Sequence, residues 1–336
     1  MKRRLWWRSF WLHLFLTPLA LLWLAPLWLM FVFSTHPEIA IFSTPTPILP
    51  GNQFAANLQS LQADTNFLRS LFNSVMVAGI YTVLSIFLTS LAGYAFARFE
   101  FWGKGLLFSL VIATLTIPYF AVVIPQFILV AREAKTLLAI LIGMAVFGGI
   151  AALLAWLRFS PTLGRALWVG YAAAALGYLF LGVPALREAM TFDFRLTNTW
   201  WAVILPSLAN SLGVFFMRQN FLSVPMSLLE AARIDGAGEF RIFFRIALPL
   251  VLPAMAALAI ILFLASWNDY LWPLLVLSDR EMQTAPVALG SLIGLTRVSW
   301  GGIMVGAVMT TLPFLVLFLF LQRYFIAGIT AGGVKD

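Results

Sequence analysis

The chain has 336 residues, 62% of them hydrophobic and only 10% charged, with a mean hydropathy of +0.96. These values exclude an ordinary soluble domain and a disordered chain alike, and they indicate an all-α, polytopic integral membrane protein in a lipid bilayer. The lack of cysteine excludes disulfides and cysteine–zinc sites, and the +8 net charge is scattered among connecting segments instead of clustering with aromatics as a nucleic-acid surface would.

A helix needs about 20 apolar residues to cross a hydrocarbon core of about 30 Å. Lys2, Arg3, Arg4 and Arg8 precede an apolar run from Ser9 to Phe33. That run is too long for a signal-peptide core and lacks a clear cleavage site, so 1–33 is expected to be a retained first span. Residues 34–69, with Pro45, Pro47 and Pro50, are expected to form an external loop. Within 70–131 a second span covers Ser70 to Phe96 and a third covers Gly105 to Ala131, where Pro118 and Pro125 predict kinks. The stretch 132–199 contains two more runs, Thr136 to Leu157 and Ala166 to Leu186. Spans at Trp200–Met217, Leu250–Leu277 and Gly301–Leu321 complete the set. The 200–325 segment holds a charged loop at 223–248, and 326–336 ends a polar tail that begins at Gln322.

This gives eight transmembrane helices with both termini cytoplasmic. The inside segments then carry Lys2, Arg3, Arg4, Arg8, Arg98, Lys104, Arg158, Arg165, Arg218, Arg233, Arg241, Arg245, Arg323 and Lys335. Outside lie Arg69, Arg132, Lys135, Arg187, Arg195, Arg280 and Arg297. The two-to-one excess agrees with the positive-inside rule and puts the 223–248 loop in the cytoplasm.

That loop reads as helix, turn, helix. Ser227 and Glu230 have capping-box spacing. Asp235-Gly236 signals a left-handed helix end. Glu239 suits the dipole at the start of the second helix, and Pro249 is expected to end that helix and introduce the next span. Leu228, Leu229, Ala231 and Ala232 offer an apolar face to a soluble partner's groove. The same residues would also serve a plain cytoplasmic connection.

The order Glu230-Ala231-Ala232, three residues, Gly236, nine residues, Ile246-Ala247-Leu248-Pro249 resembles the EAA loop of binding-protein-dependent ABC importer permeases. Further stretches resemble the carbohydrate branch of that family: Phe67 to Ser74, Ile117-Pro118 through Gln126, Leu205 to Asn210, Ser266 to Leu274, and Gly328 to Lys335. The tail looks most like the second membrane subunit of maltose-type systems.

The resemblance implies a six-helix permease core, with 132–199 as an inserted helical hairpin. It implies a sugar or related solute as substrate. It also implies three kinds of partner: a second homologous permease, a cytoplasmic ATPase dimer and an extracytoplasmic solute-binding protein. Glu230, Ala231, Ala232, Asp235, Gly236, Ile246, Leu248 and Pro249 would then couple to the ATPase, and Thr330, Gly332, Gly333 and Lys335 in the tail would reach it too.

Polar and aromatic side chains at membrane depth mark candidate substrate paths: Tyr119, Gln126, Asn210, Trp267, Asn268 and Asp269. Trp267, Tyr270 and Trp272 equally fit an interfacial aromatic belt, and Asn210 with Ser207 fits interhelical hydrogen bonding. No HExxH, nucleophile triad or GxxxxGK[ST] pattern occurs, so neither a resident cofactor nor ATP binding by this chain is expected. An ion-coupled secondary transporter working without an ATPase shares the span count, but no convincing internal repeat favours it.

Overall fold

The computed structural model describes residues 2–132, 169–170, 196–293 and 298–333. Every regular element among them is helical: α1 (Lys2–Ser34), α2 (Glu38–Ile41), α3 (Phe54–Thr65), α4 (Phe67–Arg98), α5 (Lys104–Thr114) and α6 (Tyr119–Arg132). After the undescribed stretch come α7 (Trp200–Ser207), α8 (Ser211–Leu222), α9 (Met226–Ile234) and α10 (Glu239–Leu250). The last four are α11 (Leu252–Trp267), α12 (Leu271–Val276), α13 (Ala285–Ile293) and α14 (Trp300–Gly333).

Phe10–Ser34 in α1, the whole of α4, and Trp300–Phe320 in α14 are each long and apolar enough to cross a membrane. The pairs α5/α6, α7/α8 and α10/α11 bring the number to as many as six if each pair is one broken span. On that count up to six of the expected spans would have counterparts. The other two, Thr136–Leu157 and Ala166–Leu186, lie outside the described residues apart from 169–170.

Several boundaries differ from expectation. The 34–69 segment is no bare loop but holds α2 and α3. Asn57 of α3 donates to the Ser34 and His36 carbonyls at 2.9 Å each, binding the segment to the end of α1. The second span starts at Phe67, because Asn66 takes a left-handed conformation (φ 50°) that ends α3 and turns the chain directly into α4. The stretch before Trp300 contains α13. The tail is helical as far as Gly333, since nothing after Leu321 breaks the helix begun at Trp300.

The chain forms two compact units. Met1–Thr116, Val203–Leu274 and Ser278–Asp336 make the first, and Ile117–Ala202 with Leu275–Leu277 the second. In the second unit α6 contains Pro125, and Asn198 N–H donates to the Val276 carbonyl at 2.9 Å.

The first unit is built on α4. Ser70, Ser74, Ala78, Thr82, Ser85, Thr89 and Gly93 recur every three or four residues and are buried along one face. Lipid gives apolar helices no reason to associate, so small residues that let backbones close together supply the packing. A Cβ on Gly93 would lie 2.7 Å from Met217 Cβ and 2.8 Å from the Arg218 backbone nitrogen of α8. One on Gly213 of α8 would lie 2.8 Å from Thr89 Cγ2. The two helices therefore touch at both points.

At its other end α4 holds the 278–285 segment. Buried Asn73 donates to the Glu281 and Gln283 carbonyls at 2.8 and 3.0 Å, and Ala285 N–H donates to Ser74 Oγ at 2.8 Å. Leu61, Phe67, Ala288, Leu292 and Val305 pack beside them. Asn73→Ala leaves two carbonyls without a donor, so it is expected to cost about 1–3 kcal/mol. Thermal unfolding in detergent should show a lower midpoint.

Candidate coupling hairpin

The charged loop forms a hairpin of α9 and α10. Pro225, with φ −59° and ψ 128°, ends the connector, and α9 starts at Met226 with no side-chain cap. The expected capping box is therefore absent: Ser227 already lies inside the first helical turn, two residues past the N-cap position, which Pro225 occupies. The other end follows expectation. Gly236 has φ +79°, its N–H donates to the Arg233 carbonyl at 3.0 Å, and the Ala237 N–H donates to the Ala232 carbonyl at 2.9 Å. These paired bonds are a Schellman ending, with glycine where a Cβ would be strained.

Glu239 begins α10, as its charge suggests. It also closes the hairpin, a contact that sequence spacing did not reveal. Arg233 Nε and Nη2 donate to its two carboxylate oxygens at 2.6 and 3.3 Å. This bidentate pair raises the Arg233 pKa above its ordinary value, chiefly through the hydrogen bond.

Pro249 does not end α10. The helix widens into a π turn over Phe243–Ala247, where Leu248 N–H donates to the Phe243 carbonyl, and it runs on through Pro249 to Leu250. A widened turn is how a helix absorbs a residue that lacks the N–H for the regular bond. The break comes at Val251, and α11 departs at 78° with Pro253 in its first turn.

The hairpin's faces are now distinct. Leu229, Ala232, Ile242, Phe243 and Ala247 are buried. Ala232, expected among the coupling contacts, thus packs inward, with 9% of its surface exposed. Ile246 and Leu248 are half-buried. Glu230, Ala231, Asp235, Gly236 and Pro249 are exposed. So are Leu228, Ile234 (87%) and Phe240 (77%), the last two on either side of the Gly236 turn.

The candidate path residues separate. Tyr119 and Gln126 lie on α6 in the second unit. In the first unit, Asn210 caps α8, its Oδ1 accepting from Gly213 N–H at 2.7 Å, and its Nδ2 donates to the Tyr81 hydroxyl at 3.2 Å. That is the interhelical role. Trp267 is buried and stacked on Phe263 at 5.3 Å. Asn268 and Asp269 sit in the break between α11 and α12, where Asp269 accepts from Trp272 N–H at 3.3 Å and caps α12. Trp267 and exposed Asn268 help to line a cavity of about 420 Å³ with Leu289, Thr310, Thr311 and Phe314. The side chains of Thr330 and Lys335 lie outside the described set; the backbone of α14 is helical at Thr330, Gly332 and Gly333.

Residues 85–331 match the family described as the binding-protein-dependent transport system inner membrane component. The chain belongs to this family. The permease is similar to the arabinooligosaccharides transport system permease protein AraQ of Bacillus subtilis, with 31% identity, covering 96% of this chain and 95% of that one. It is also similar to AraQ of Halalkalibacterium halodurans (35% identity, 78% and 72%). A third relative is the sn-glycerol-3-phosphate transport system permease protein UgpE of Yersinia pestis (28% identity, 94% of each). Among solved structures, a bacterial ABC transporter involved in the import of the acidic polysaccharide alginate shares the fold. Its TM-score is 0.58 at 20% identity, over 94% of the permease and 96% of that chain. The permease is a multi-pass inner-membrane subunit of an ATP-driven ABC importer and not an enzyme. Membership implies an assembly with another permease, an ATPase and a solute-binding protein.

Proposed function

We propose that this permease forms half of the pathway for a sugar or related solute and that the α9–α10 hairpin is its coupling element to the ATPase. The observation that carries the coupling reading is the exposure of Ile234 and Phe240 beside Glu230, Ala231 and Gly236 on an otherwise charged, well-closed turn. Apolar side chains of that size at the tip of a polar segment suit the groove of a soluble partner. The sugar class is favoured by the arabinooligosaccharides in the names of two relatives.

In this reading the chain has eight spans with both termini inside. The 132–199 stretch is a peripheral helical hairpin outside the six-helix core, and the 330–335 tail also reaches the ATPase. Asn268, Trp267 and the cavity beside them lie on the solute path. Closure of the ATPase pair on ATP moves the hairpin, and rotation of the permease halves carries the cavity from one face to the other. ATP shifts that equilibrium only through differential binding to the two states.

The test is uptake of an arabinooligosaccharide into vesicles holding the whole importer. Uptake that requires ATP and the binding protein is expected. Uptake driven by a proton or sodium gradient without ATP would favour the secondary-transporter reading instead. A reporter enzyme fused after Arg245 should be active only in the cytoplasm, and periplasmic activity would overturn the topology.

A further inference from the structure

Arg98, at the end of α4, reads from sequence as an orientation charge. In the fold its guanidinium crosses to α8 instead. Nη2 donates to the carbonyls of both Phe221 and Val224, and Nη1 reaches Met226 Sδ at 3.6 Å. Phe221 lies in the last turn of α8, whose carbonyls have no partners within their own helix. Val224 lies in the three-residue connector to α9, and Met226 opens α9 itself. A single arginine thus holds the end of α8, the connector and the start of the hairpin's first arm.

The contact is reciprocated. Arg218 of α8 donates from Nε to the Phe96 carbonyl of α4 at 3.4 Å, with its guanidinium 4.2 Å from the Phe108 ring centroid. Tyr94, one turn before Arg98, reaches the hairpin's other arm. Its ring lies 5.1 Å from Phe243 in the π turn of α10 and 5.3 Å from Phe221. Among the described residues, the Arg98 Nε and the Tyr94 hydroxyl are buried with no hydrogen-bond partner. Directly behind these residues, Gly93 lets α4 and α8 meet backbone to backbone.

We propose that Arg98 and Tyr94 are the grip through which displacement of the hairpin is passed to α4, the helix on which the first unit is built. Arg98 is a positioning residue in this role. Its forked, planar donors bridge two carbonyls at once, which a lysine ammonium does not reproduce. The inference rests on the coupling role proposed for the hairpin.

The test is solute transported per ATP hydrolysed by the complete importer in vesicles. Arg98→Lys keeps the positive charge, and with it the orientation signal, but removes the fork. It is expected to lower transport per ATP by at least about five-fold while hydrolysis stays within about two-fold. A merely structural defect would lower both together and leave the ratio intact. Tyr94→Leu, which keeps apolar bulk and loses the ring contacts, should shift the ratio the same way and decides the matter if Arg98→Lys fails to assemble. An unchanged ratio overturns the grip. Gly236→Val measured alongside separates the two ideas. If it abolishes uptake while the Arg98 and Tyr94 variants keep their ratio, the grip alone falls. Normal uptake in Gly236→Val removes the coupling role and the grip with it.

Discussion

Gly236→Val is expected to abolish ATP-driven uptake while the permease still inserts. The reason is conformational. A Cβ at this position would meet nothing within 4 Å, so crowding is not at issue. The strain comes from φ +79°, where an ordinary L-residue pays about 1–2 kcal/mol and a β-branched one more. That energy falls on the turn whose two hydrogen bonds end α9 and lead the chain into α10, between exposed Ile234 and Phe240. It is small beside the packing of the spans, so membrane content by immunoblot should be near normal. Gly236→Asn, a residue that tolerates the left-handed region, should keep most of the uptake. Normal uptake in Gly236→Val would remove the hairpin's coupling role.

Gly93→Ala should have the second largest effect, this time on stability. Its single added methyl group would sit 2.7 Å from Met217 Cβ and 2.8 Å from a backbone nitrogen of α8. Backbone cannot rotate aside as a side-chain tip can, so α4 and α8 must separate. Overpacking of this kind costs about 1–3 kcal/mol. Gly79→Ala on the same helix is the matched control, because its methyl group would meet nothing within 4 Å. There the better helix propensity of alanine should be neutral or stabilising by up to about 1 kcal/mol. Thermal unfolding in detergent should lower the midpoint for Gly93→Ala only. Equal shifts would show that the close approach of α4 and α8 carries no special weight.

The elements legible from sequence were those set by local chemistry. Long apolar runs gave the spans that the structure describes, and Asp235-Gly236 gave the helix ending, because glycine's freedom at positive φ is a property of the residue alone. Elements set by competition between neighbours were not legible. Ser227 and Glu230 have the spacing of a capping box, but Pro225 and Met226 start the helix first. Pro249 is a helix breaker in isolation, yet the π turn at Phe243–Ala247 absorbs it.

Contacts between distant segments were invisible for a different reason. The bridge from Arg98 to Phe221 and Val224 depends on how helices cross, and a charge written at a membrane border looks the same whether it faces headgroups or carbonyls. Of the polar residues singled out at membrane depth, Asn210 and Asp269 prove to cap helices, whereas Trp267 and Asn268 border a cavity. Type and depth alone do not distinguish those fates. The small-residue face of α4 was the one long-range feature with a readable signal, since Ser70, Ser74, Ala78, Thr82, Ser85, Thr89 and Gly93 repeat at helical spacing.

The most direct measurement uses the absence of native cysteine. Ala231→Cys provides one thiol on the exposed face of α9. In the assembled importer, a short thiol-reactive cross-linker should join it to the ATPase subunit, and a membrane-impermeant maleimide added to intact cells should leave it unlabelled. Labelling from outside, or no cross-link to any soluble subunit, would contradict the account.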